Sequence, residues 1–290
     1  MKLHNVKVNL LLEAVTPITH MSGTSGNVAL INRETIYHDT EIAHIPFLSG
    51  NALRHSMIRE PGALYLLDAL ELRGKITAAQ AFFLLNGGSL TKSGQPDKTR
   101  VIADMHKYFP LLYLLGGSLP GQIISGSLIT GRGILICEEN RNRVLSMFSG
   151  DELRSQIDSA ESFITDYQYT RSNTAMRKDG IVESTDEKTE SGLMIYSGQA
   201  VVPGAVFAKQ DFLTDVSILE MGAYFHALEI WQNKGGVVGG MGRIGHGRVD
   251  YHIELADEHL NMVNDAIQAY TEHMKSNIAE AQAWLTSIIV

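Results

Sequence analysis

One segment constrains this chain more than any other: Gly235-Gly236-Val237-Val238-Gly239-Gly240-Met241-Gly242-Arg243-Ile244-Gly245-His246-Gly247-Arg248, which runs straight into the alternating Val249-Asp250-Tyr251-His252-Ile253-Glu254. Each glycine costs conformational entropy on folding, and a packed core has no use for so many residues without side chains. Something must come close to this backbone. Bare N–H groups make anion-binding concavities and Arg243 and Arg248 add charge, so a phosphate chain is one candidate neighbour. A purely structural glycine loop is the other. The segment is not a P-loop, because no Lys-Ser/Thr follows the glycines. Nor does it suit a dinucleotide fold, which wants strand, glycines, helix, whereas here the order is helix, glycines, strand.

A chain of 290 residues with 44% hydrophobic content can bury a substantial core. Its longest apolar runs, at 81–85 and 111–115, fall far short of a membrane span, and no signal-peptide core follows Lys2. A cytoplasmic protein without a membrane partner is expected. Cys137, the single cysteine, sits in the apolar run Ile134-Leu135-Ile136-Cys137 and reads as a buried thiol. The formal charge of -8 argues against non-specific coating of nucleic acid. Distribution can override the sum, since Arg and Lys gather between residues 54 and 107 and again at Arg171, Arg177 and Lys178.

Along the chain, residues 6–13 begin with period-two alternation and predict a first strand, followed by a polar loop over 20–27 and a short strand over 28–31. Residues 52–59 have helical spacing behind Ser49-Gly50-Asn51, with Pro61-Gly62 expected to end that helix. Helical patterns then cover 63–85 and 100–115, separated by a polar linker. Residues 123–136 predict a pair of strands or one bent strand, 193–202 another strand, and 218–231 a helix that delivers the chain to the glycines. Residues 258–285 read as one long acidic helix on the outside. Residues 169–191 are the least core-like and predict a projecting hairpin or loop. This order of elements makes an α+β protein and resembles the split βαβ arrangement of ferredoxin-like folds.

Catalytic signals are sparse. None of the eleven histidines falls in a His-Glu-x-x-His spacing, and Gly-x-Ser-x-Gly is absent. His20, His38 and His44 could meet a metal or an RNA phosphate, or be ordinary hydrogen-bonded histidines. Asp39 and Glu41 could act as acid and base, or be solvated. Neither a metal nor a cofactor is expected. Ser49-Gly50-Asn51 at a helix start offers N–H groups to an anion with Arg54 one turn on; the plain alternative is an N-cap. Two anion-friendly elements and a charged hairpin suit a polymeric anion.

Ile45-Pro46-Phe47-Leu48-Ser49-Gly50-Asn51-Ala52-Leu53-Arg54 resembles the "IPG-S-S-x-x-G-x-x-R" helix start of the RAMP superfamily of CRISPR-associated proteins. Val201-Val202-Pro203-Gly204-Ala205-Val206-Phe207 resembles its "VPAG-x-x-F" strand turn, residues 235–248 its C-terminal glycine-rich loop, and Leu115-Gly116-Gly117-Ser118 its mid-chain "FG-S" segment. The order is co-linear over most of the chain. Residues 16–27 with 48–55 are most similar to the seven-family backbone subunit in its type IV version.

The resemblance implies a single domain over 1–290. It has an RRM-like palm, helical fingers over 63–115, a β-hairpin thumb over 169–191 and a C-terminal helix over 255–290. It implies a non-catalytic subunit that stacks head to tail along a CRISPR guide RNA and supports pairing with target DNA or RNA. Implied partners are a large subunit, a five-family subunit, a guide-processing endonuclease and a helicase. The RNA contacts expected on this basis are His20, Ser49, Gly50, Asn51, Arg54, Arg171, Arg177, Lys178, Gly239, Gly240, Met241, Gly242 and Arg243. Type III relatives cleave target RNA with an aspartate in a "GG-x-D-x-P" context. Residues 31–36 lack it, which leaves Glu34 or Asp39 as stand-ins in the alternative reading of a target-cleaving subunit. A third reading is a nucleotide-binding enzyme unrelated to CRISPR.

Overall fold

The computed structural model describes residues 2–26, 28–88, 98–119, 122–148, 158–171 and 194–288. In chain order the N-terminal strands are β1 (His4–Ala14), β2 (Met21–Ser25), β3 (Val28–Ile31), β4 (Arg33–His38) and β5 (Glu41–Leu48). Then α1 (Gly50–Leu53) passes through a π-helix, Arg54–Arg59, into α2 (Glu60–Ala69), followed by α3 (Ala78–Asn86), α4 (Lys98–Tyr108) and α5 (Pro110–Leu115). The middle of the chain supplies β6 (Gly116–Leu119), β7 (Gln122–Ser125), β8 (Leu128–Ile129), β9 (Gly133–Leu135) and α6 (Arg141–Leu145). The rest comprises β10 (Ile164–Arg171), β11 (Met194–Val201), β12 (Val206–Val216), α7 (Ile218–Asn233), β13 (Val249–Glu254), α8 (Asp257–Leu260), α9 (Val263–Ser276) and α10 (Ile278–Ile288).

The main sheet runs β13-β1-β12-β9-β5-β4, with β8 also on β12, and its pairings are antiparallel. Val6, Val8, Leu10, Leu12 and Ala14 occupy alternate positions of β1 and all point into the principal core, as a period-two run should. That core continues through Leu66, Phe83, Leu112, Tyr224 and Tyr270 on the helices. A smaller cluster of Ile134, Ile136, Val144, Phe148 and Ala208 seals part of the opposite face beneath α6. A second sheet, β10-β11-β3-β2, is joined to the first where Ile18 and Val201 exchange two backbone hydrogen bonds of 2.9 Å.

Four local expectations change. Residues 21–25 form β2, because antiparallel pairing with β3 satisfies their backbone although every residue in the strand is exposed. Pro61 does not end a helix. The wider π-helical turn ahead of it puts Pro61 in the first turn of α2, where its missing N–H costs nothing. The helix expected over 100–115 breaks at Phe109 (φ −136°, ψ 65°), pushed out of the helical region by Pro110. The outer C-terminal helix is instead α8, α9 and α10. Asn277 Nδ2 caps α9 by donating to His273 O at 2.8 Å, and Tyr270, Met274, Trp284 and Leu285 are buried.

Candidate nucleic-acid interface

The residues just after β1 knit the site together. Thr16 Oγ1 accepts from Arg248 N at 2.9 Å, Pro17 O from Gly247 N at 2.8 Å, and Thr19 O from Gly240 N at 2.8 Å; Thr19 Oγ1 donates to Gly240 O at 2.9 Å. The glycine loop is thus a doubled-back turn docked on residues 16–19. Gly239 (φ 76°) and Gly247 (φ 82°) are required there, since a Cβ would overlap Thr19 O in the first case and Val238 O in the second. The close neighbour that these glycines demand is the chain's own backbone, so at these positions the structural explanation suffices.

The tip of the loop is different. Met241 adopts a left-handed conformation (φ 62°), and a single 3-10 turn, Gly242–Ile244, projects into solvent. Arg243 is exposed there without an ion pair among the described residues. Its charge is available.

His20 carries the same segment to the helix start. Its Nε2 accepts the Ser49 N–H at 3.1 Å, and burial lowers its pKa, so the imidazole is held neutral as that acceptor role requires. Ser49 Oγ accepts from Ala52 N at 3.3 Å as an N-cap. Two of the N–H groups offered to an anion are therefore engaged within the protein, and Asn51 is the exposed residue of this start. Gly50 rests against the Thr130 and Gly131 carbonyls, each 3.1 Å from where its Cβ would lie. Gly131 N in turn donates to Asp211 Oδ1 at 2.9 Å. Asp211 is fully buried, paired with Lys209 and accepting from Tyr224 Oη at 2.8 Å, so a core ion pair underlies the helix start.

Arg54 is half-buried, its Nε lacks a partner, and burial lowers its pKa. Arg59, which the sequence reading missed, lies on the same π-helix. Only 6% exposed, it donates to Gly116 O at 3.1 Å, leaves Nη1 unpaired, and is brought down to about 10 by burial and by Arg54. No carboxylate among the described residues pairs with either guanidinium. Their i, i+5 spacing falls on one side only because the helix is of the π type, which a 3.6-residue period does not reveal. A cleft of about 330 Å³ separates this helix from the glycine loop, bordered by His55, Ser56, Glu60, Lys234 and Gly239.

Arg171 ends β10, where its backbone pairs with Met194; Arg177 and Lys178, with most of the expected thumb, lie outside the described residues. Glu34 is held by two guanidinium contacts, Arg132 Nη1 at 3.0 Å and Arg143 Nη1 at 2.9 Å, and its side chain is 9% exposed. Asp39 turns the β4–β5 hairpin with φ 51° and is 87% exposed. Cys137 is buried, and burial pushes its thiol up to about 12. No helix among the described residues is long and apolar enough to cross a membrane.

Together these features define an α+β protein with an antiparallel sheet, a helical layer and a glycine turn locked onto the segment after the first strand. No protein-family model and no curated protein matches the chain. Among solved structures its fold is similar to a chain of a "Type IV-B CRISPR Complex". The TM-score is 0.58 and the identity 16%, over 86% of this chain and 90% of that one.

Proposed function

We propose that this chain is a non-catalytic, guide-RNA-binding backbone subunit of a type IV-like CRISPR ribonucleoprotein effector, repeated head to tail along its RNA. The observation that carries this reading is the fold shared with a type IV-B complex chain over nearly the full length of both. In this reading the main sheet, with β1 between β12 and β13, is an RRM-like palm and the helices from α2 to α5 are its fingers. RNA runs past Asn51, Arg54 and the Arg243 tip. Such contacts, made to phosphates, hold any guide sequence and leave its bases for pairing. Head-to-tail contacts are heterologous, so they extend along RNA instead of closing into a dimer. Further effector subunits cap the filament.

The double guanidinium clamp on Glu34 occupies both of its carboxylate oxygens, which supports a non-catalytic role by removing one of the two stand-in carboxylates. The test is to express the chain, treat the lysate with nuclease, and measure mass by size exclusion with the 260/280 nm absorbance ratio. Large species carrying protected RNA are expected, either directly or after a defined guide RNA is added. A monomer that ignores added guide overturns the proposal. Metal-dependent, regularly spaced cutting of complementary RNA that Asp39→Ala abolishes overturns its non-catalytic part.

A further inference from the structure

Beside the glycine turn, three tyrosine rings form a ladder on the β10–β11 hairpin. Tyr167 and Tyr169 occupy positions i and i+2 of β10 with ring centres 6.2 Å apart and planes 12° from parallel. Tyr169 faces its cross-strand partner Tyr196 at 5.1 Å and 14°. The ring of His246, from the glycine turn, meets Tyr167 edge-on at 5.2 Å. Gly198 stands opposite Tyr167, and a Cβ there would lie 2.6 Å from the phenol oxygen, so the ladder's position depends on that glycine.

A cross-strand aromatic pair that merely stabilises a hairpin accounts for Tyr169 and Tyr196. It does not account for a third ring in register on the same strand, nor for a loop histidine brought against its end. Nor does it explain why Tyr167 Oη and His246 Nδ1 are both buried without a hydrogen-bond partner. Those two polar atoms mark the Tyr167–His246 contact as one left unsatisfied at the junction of the hairpin and the glycine turn.

We propose that this ladder is a stacking site for a base of single-stranded RNA, inserted between Tyr167 and Tyr169. Side chains two apart on a strand repeat at about 6.7 Å. A base placed between two rings needs twice the stacking rise of about 3.4 Å. The ring centres lie 6.2 Å apart, which bounds the gap between the ring planes from above, so the two rings must spread to admit the base. Every base has a π-face, so such a contact is tolerant of sequence. Arg243, three residues from His246 on the same turn, supplies charge for the adjoining phosphate.

This inference rests on the reading of the chain as an RNA-binding subunit. The full chain is titrated into a single-stranded RNA oligonucleotide carrying 2-aminopurine, whose fluorescence falls when it stacks. Wild-type protein is expected to quench it at saturation. Tyr169→Leu should weaken binding roughly 5- to 150-fold, the range for losing one base–aromatic stack, while keeping the salt dependence of affinity. Tyr169→Phe should restore both binding and quenching. RNA bound without quenching by the wild-type protein overturns the ladder and leaves the RNA-binding reading standing, whatever the variants do to hairpin stability. So does a folded Tyr169→Leu protein that binds and quenches like wild type. A wild-type protein that binds no RNA overturns both.

Discussion

At the scale of single residues, His20 shows how an expected ligand contact becomes a brace. Polar surroundings made His20 a candidate for RNA phosphate, but its ring faces inward and accepts the Ser49 N–H. Protonation would turn that acceptor into a donor aimed at another donor. Burial lowers its folded pKa from 6.5, so between the folded value and 6.5 the unfolded chain binds more protons. The stability contributed by neutral His20 is therefore complete above pH 6.5 and lost as pH falls through the folded value. A histidine-ring NMR titration should place His20 below 6.5, and His20→Gln should flatten the fall in melting temperature on acidification. A His20 that titrates at or above its ordinary value would mean that the ring is free for an anion. The glycines divide along similar lines. Gly239 and Gly247 serve the chain's own packing and Arg243 faces outward, a distinction visible only once residues 16–19 are seen to fill the space between them.

At the scale of elements, local patterning identified what local forces decide. The alternation in β1, the helical spacing of α7 and the composition of β11 all lie in short stretches of sequence. What stayed illegible depends on distant partners: β2 exists because β3 pairs with it, and the π-helix places Arg59 beside Arg54 by widening one turn. The C-terminal helices are the clearest case. Their acidic composition suggests a solvent-exposed layer, yet α9 crosses α7 so closely that a Cβ on Gly222 would overlap Ala266 O. Glycine is thus a contact requirement in mid-helix, at some cost to helix propensity. Gly222→Val is expected to drive α9 off α7, destabilising the fold by about 1–3 kcal/mol as overpacking does. Hydrogen exchange should show α9 losing protection before the main sheet. Unchanged protection and melting would mean that the two helices are not held at this distance.

At the scale of the whole molecule, the proposed function asks a chain of net charge -8 to grip a polyanion. Several of the basic groups are occupied by the protein itself. Arg132 and Arg143 neutralise Glu34, Arg33 pairs with Glu161, and Lys209 is spent in the core on Asp211. Under the proposed function, binding then falls to cations outside those pairs: Arg54, half-buried on the helix, and Arg243, exposed at the glycine tip, whereas Arg59 is buried against Gly116 O. If the proposed function holds, few contacts per copy imply a modest salt dependence for one subunit, with affinity accumulating as copies add along the strand. On single-stranded RNA each phosphate contact contributes about 0.7 to the slope of log affinity against log salt. Arg243→Ala should therefore lower that slope by about 0.7 per subunit and weaken binding by the same factor for every RNA sequence tested, because a phosphate carries no base information. Fluorescence anisotropy across a salt series on two unrelated RNA oligonucleotides measures both quantities. A loss confined to one sequence would place Arg243 on a base edge. An unchanged slope would remove the glycine tip from the RNA path and leave Arg54 at the helix start to carry it.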